Sequence, residues 1–131
     1  MGLILFPGNG DDGTPDVSWS CRGFHEFRTW LAQAEGFALA EMRGFGGERA
    51  WSGVSSVLKP LLDHPDTGGD DLTSADCAAM APRLAEIAAA VPREEHRTSP
   101  RPAVHRHAED ARRLIAVMDV CVAEQVELIF L

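Results

Sequence analysis

The run of apolar and polar positions predicts strands at both ends of the chain and helices between them. Gly2 to Phe6 is a short apolar stretch that stops at Pro7-Gly8, which reads as a first strand. Asn9 to Asp16 is turn chemistry throughout, with Asn-Gly, Asp-Gly and Thr-Pro-Asp in succession. Val17 to Cys21 is too short to assign, although Ser20 stands where a helix N-cap would. Phe24, Phe27, Leu31 and Ala34 recur at i, i+3, i+7 and i+10, a helical stripe with Trp30 beside it, and Gly36 stands in the C′ position. Phe37 to Met42 adds one more turn before Gly44-Phe45-Gly46-Gly47 breaks the chain. Glu48 to Leu62 has helical spacing at Trp51, Val54, Val57, Leu58, Leu61 and Leu62, interrupted by Gly53 and Pro60.

Beyond an acidic loop, Thr73-Ser-Ala-Asp76 has the form of a capping box with Asp in place of Glu or Gln. Cys77, Met80, Leu84, Ile87 and Val91 mark the face of the helix behind it. Pro82, about two turns inside, removes a backbone donor and predicts a kink, and Pro92 closes the element. Arg93 to Pro102 has almost no hydrophobes and reads as a flexible linker. Periodicity returns near Val104, with Ala111, Leu114, Met118, Cys121 and Gln125 on one face of a long last helix. Val126 to Leu131 is a closing strand whose apolar surface needs a partner, and Leu3 to Phe6 is the natural one. The expectation is an α+β fold in which a small sheet, formed by the N- and C-terminal strands, packs against three to four helices. It is one domain, 1–131, with an Arg/His/Pro-rich linker at about 93–103.

Composition narrows the classes. At 131 residues and 45 % hydrophobic content the chain matches one globular domain that folds without a staple. The apolar runs fall short of the roughly 20 residues of a membrane helix. The first residues lack a basic region and a cleavage site, and Phe6 stands where a myristoylation signal needs Ser or Thr, so a cytoplasmic protein is expected. Cys21, Cys77 and Cys121 are odd in number and widely spaced, which suits reduced thiols; Cys77 and Cys121 fall on apolar stripes. A net charge of −8 disfavours nucleic acid. Within Arg93 to Arg113, six arginines against four carboxylates give +2, leaving −10 for the rest.

The chemistry concentrates in one loop. Asp63, Asp66, Asp70, Asp71 and Asp76, with His64 and two glycines, lie between two helical segments. The layout is EF-hand-like, yet no register satisfies the loop: starts at Pro65, Asp63 or Asp66 put Pro, Gly, Ser or Cys at ligand positions. A non-standard calcium or magnesium site from these five carboxylates is one reading; a solvated turn favouring the next helix N-terminus is the other. Trp19 to Ala32, then Leu61 to Gly69, then Asp76-Cys77 and Ala81-Pro82-Arg83-Leu84, resemble a group of short, uncharacterised bacterial proteins. The likeness covers most of Trp19 to Ile87, and in that group the loop is nearer EF-hand spacing and one residue shorter. The resemblance implies a fold and no activity.

Other constellations are thinner. Zinc spacing occurs at Cys21-x₃-His25 alone. Cys21, before a predicted helix start and one turn from His25, is the single candidate for a reactive thiol. Gly44 to Gly47 lacks the Lys-Ser/Thr of a phosphate loop, and no Gly-x-Ser-x-Gly occurs. Seven large rings between Trp19 and Trp51 supply a core, and Trp19 and Trp51 lie off the clear stripes as candidate interface anchors. Arg97, Arg101 and Arg106 are candidates for contact with an acidic partner. The expected function is a non-enzymatic protein-interaction or regulatory module without cofactor, its partner a protein and neither membrane nor nucleic acid; the alternative is a calcium or magnesium binder.

Overall fold

The computed structural model describes residues 2–10, 13, 15–64, 71–91 and 103–130. Its sheet joins the two ends of the chain. Strands β1 (Gly2–Pro7), β2 (Val17–Ser20) and β3 (Leu128–Phe130) lie in the order β2-β1-β3, all antiparallel. Leu5 faces Phe130 and Pro7 faces Leu128, while Leu3 faces Trp19 and Leu5 faces Val17. The Gly8 amide donates to the Glu127 carbonyl and extends the β1–β3 ladder. The expected pairing of the first and last strands is therefore present. The unassigned stretch at Val17 is a third strand, its residues alternately buried and exposed, the period-two signature of a half-covered sheet.

Leu3, Leu5, Val17 and Trp19 turn inward and meet the helices. Helix α1 (Cys21–Ala34) follows β2 with no intervening loop, because Ser20 is both the last strand residue and the N-cap, its Oγ accepting from the Gly23 amide at 2.9 Å. Phe24, Phe27 and Leu31 are fully buried along the predicted stripe. Each such side chain contributes roughly 1.5–3 kcal/mol by burial. Propensity differences among ordinary residues reach only about 0.7 kcal/mol, so packing decides this helix. Gly36 at φ +90° ends it: its amide donates to the Gln33 carbonyl and that of Phe37 to Ala32, the paired bonds of a Schellman stop.

The stretch expected to hold helical spacing from Glu48 to Leu62 is two short pieces instead, a 3₁₀ turn at Trp51–Gly53 and a four-residue helix α2 (Lys59–Leu62). Gly53 weakens any helix through it, and Pro60 brings no amide to a hydrogen-bonded turn, so it sits at the start of α2. A further 3₁₀ turn spans Leu39–Glu41. At Gly47 the Glu41 carbonyl occupies the space where a Cβ would stand.

Helices α3 (Ser74–Ala89) and α4 (Ala103–Glu124) pack against each other over much of their length and carry the predicted faces. Cys77, Met80, Leu84, Ile87, Ala111, Leu114, Met118 and Cys121 are buried. Helix α3 continues through Pro82. Gln125 is not on the α4 face as the spacing suggested; it stands beyond the helix at φ +55°. The linker expected at about 93–103 falls outside the described residues except for Ala103, which begins α4.

Candidate functional site

Polar and aromatic groups converge where α1, β2 and the first turns of α4 meet. One cleft of about 360 Å³ is lined by Ser18, Trp19, Ser20, Arg22, Gly23 and Glu26 on one side and by Arg106, His107 and Asp110 of α4. A second, of about 410 Å³, lies beside it among His25, Glu26, Thr29, Trp30, Gln33 and His107. Glu26 and His107 belong to both.

Helix geometry explains the assembly. Arg22, Glu26 and Trp30 succeed one another at intervals of four on α1, so they form one ridge. Arg22 Nε lies 3.2 Å from Glu26 Oε1, an exposed pair, worth a few tenths of a kcal/mol. His107 stands four residues before Ala111 and hence on the buried stripe of α4. It is 8 % exposed, its ring lies 5.7 Å from that of Trp30 at 27°, and Nδ1 has no hydrogen-bond partner. Burial, with Arg106 next to it, pushes the imidazole pKa below its ordinary value, against the pull of Asp110 and Glu26. Burial thus favours the neutral form of the ring. Trp19 Nε1 donates to Asp110 Oδ2 at 3.0 Å and ties β2 to α4.

Of the residues singled out from sequence, Trp19, Arg106 and His25 are brought to these clefts. Trp19 does not project as an anchor; it is 9 % exposed and packs on Phe24 and Phe27 at 5.2 and 4.9 Å. Trp51 lies elsewhere, half-buried against Phe37 and Phe45, its Nε1 donating to the Arg43 carbonyl. Cys21 is exposed at the first turn of α1, and the His25 ring stacks on Phe45 at 6.3 Å. Arg97 and Arg101 fall outside the described residues.

The acidic loop divides in the same way. Asp66 and Asp70 lie outside the described residues, Asp63 is exposed at the end of α2, and Asp71 Oδ1 accepts from the Phe130 amide at 3.4 Å. Asp76 serves the capping box: its Oδ2 accepts from the Thr73 amide, and Thr73 Oγ1 from the Asp76 amide, both at 3.1 Å. Among the described residues no group of three or more His, Cys, Asp and Glu is placed to hold a metal ion.

The start of that loop is held by a residue that periodicity alone did not single out. Arg28 is completely buried on the α1 stripe. Its Nη1 donates to the carbonyls of Leu61, Leu62 and His64, at the C-terminal end of α2. Its guanidinium carbon lies 4.3 Å from the Phe24 ring centre and 4.9 Å from that of Phe45, contacts favourable to a cation. The His64 ring in turn stacks on Phe130 at 3.7 Å.

Compared with known protein families, with curated proteins and with solved structures, the chain matches none, and the resemblance drawn from residues 19–87 finds no counterpart there. Among the described residues no helix is long and apolar enough to cross a membrane.

Proposed function

We propose that the protein is a non-enzymatic binding module and that a protein partner docks in the paired clefts between α1 and α4, alongside the edge of β2. The observation that carries this reading is the sharing of Glu26 and His107 by two adjoining clefts, one of which borders an outer strand of the sheet. A strand edge beside a polar cleft suits an extended segment, whose main chain can pair with the strand while a side chain enters the cleft. The charged groups favour binding over chemistry: Asp110 is held by Trp19, and His107 is enclosed.

Ser18 is exposed and lines the first cleft, so Ser18→Arg fills it without touching the core. The test is co-purification from native lysate of its source with the wild type and with Ser18→Arg, after matching melting temperatures. A partner retained by the first and lost by the second is the expected result. Recovery of no partner, or of one indifferent to the substitution, sinks the reading.

A further inference from the structure

The second cleft has a chemistry of its own. His25, Glu26, Thr29, Trp30 and Gln33 lie on one side of α1, and His107 of α4 closes the opposite wall. Among the described residues Glu26 is the one carboxylate of this lining, and no Lys or Arg contributes to it. Trp30 is one turn further along, with about 5–6 Å expected between the two Cβ atoms, so a carboxylate and a half-buried indole stand side by side. The facing His107 ring is more than nine-tenths buried, with Nδ1 lacking a hydrogen-bond partner.

We propose that this cleft receives a basic side chain, lysine or arginine, of the docked protein partner, its charge on Glu26 and its stem or guanidinium plane along Trp30. The inference rests on the docking reading above and specifies what the partner must carry. Three observations favour it. The cleft joins an acid to an aromatic face, the pairing that attracts organic cations. Burial of His107 disfavours its charged form, so the facing wall offers an incoming cation little repulsion. The whole chain carries −8, which draws cationic partners and raises their rate of encounter. A tethered side chain fits better than a free amine, because the first cleft continues along Ser18 to Ser20 and has room for the backbone that bears it.

Arg22 acts here as an internal competitor. Its side chain is 90 % exposed and pairs with Oε1 of Glu26, so an incoming cation displaces a weak pair.

The probes are the blocked peptides acetyl-Gly-Lys-Gly-amide and acetyl-Gly-Arg-Gly-amide, their norleucine counterpart, and n-butylammonium. Each is titrated into ¹⁵N-labelled protein while the Trp30 indole and the amides of residues 25–33 are followed by NMR. At least one basic peptide is expected to shift these signals saturably, and the norleucine peptide not at all. Glu26→Gln should weaken the bound peptide about tenfold or more, the loss expected for a hydrogen bond to a charged group. Arg22→Ala, at an exposed position that cannot unfold the protein, should tighten it by about twofold. Silence with both basic peptides, equal binding of norleucine, indifference to both substitutions, or n-butylammonium binding as tightly as the peptides would each overturn the proposal. A partner that is still lost on Ser18→Arg while these titrations fail shows that docking stands and the cation pocket does not.

Discussion

Single residues do two kinds of work in this molecule: they finish elements, and they set which groups react. Gln125 ends α4 in the left-handed region, with the Val126 amide on the Cys121 carbonyl at 3.0 Å. A side chain there costs roughly 1–2 kcal/mol relative to glycine, and glycine returns part of that as unfolded-state entropy. Gln125 is exposed, so Gln125→Gly should stabilise the protein by about 0.5–1 kcal/mol in denaturant titration; a loss of stability would contradict the assignment. The three thiols should separate cleanly. Cys77 and Cys121 are fully enclosed, and burial together with their mutual contact lifts Cys77 to about 12. Iodoacetamide at pH 7.5 should modify Cys21 alone in the folded protein and all three thiols in guanidinium, as mass spectrometry would show. At this scale the sequence was half legible. The burial of Cys77 and Cys121 follows from their stripes. Extending the α4 stripe back by four residues from Ala111 reaches His107, and Arg28 follows Phe27 on the α1 stripe; polar residues on apolar faces are the signal there. Glu26 and Asp110 bear no such mark, because they meet only when two distant helices pack.

Elements show where local chemistry suffices and where it does not. The Thr73 capping box was readable in four residues and holds the start of α3. Thr73→Ala should cost about 1 kcal/mol by thermal or urea unfolding, while Asp71→Asn, whose contact is a long, part-buried 3.4 Å bond to a strand amide that an Asn oxygen can still accept, should cost less. Equal losses would mean that the acidic loop and not the cap carries the stability. Strand β2 escaped assignment because four residues give only two turns of a period-two pattern, and its pairing to β1 is a tertiary fact. The stretch from Glu48 to Leu62 misled for the opposite reason. Its apolar spacing records burial of Val54, Leu58, Leu61 and Leu62 from short turns, which a helix would also produce. Arg28 supplies part of what holds α2 there, taking up the carbonyls that a four-residue helix cannot satisfy internally; Arg112 does the same for α3 at Ala88 and Val91.

At the scale of the whole molecule, α1, α3 and α4 pack over a sheet whose middle strand is the first in sequence and one of whose outer strands is the last. Leu128 is completely buried and exchanges two backbone hydrogen bonds with Leu72, at 3.1 and 2.8 Å, so it fastens β3 to the approach of α3 as well as to β1. Loss of one such leucine typically costs 2–5 kcal/mol, against a total of about 5–15 kcal/mol for a domain. Deletion of residues 128–131 should therefore abolish the cooperative thermal transition seen by calorimetry; a surviving transition within a few degrees of the wild type would show that the sheet does not need its closing strand.

That order of strands has a consequence during synthesis. β1 leaves the ribosome before both of its partners and finds β2 within the next turn of chain, but its other margin waits for a segment made more than a hundred positions later. Until then the nascent chain displays an unsatisfied strand margin. A polypeptide stalled or released before residue 128 should therefore aggregate more readily than one that carries β3.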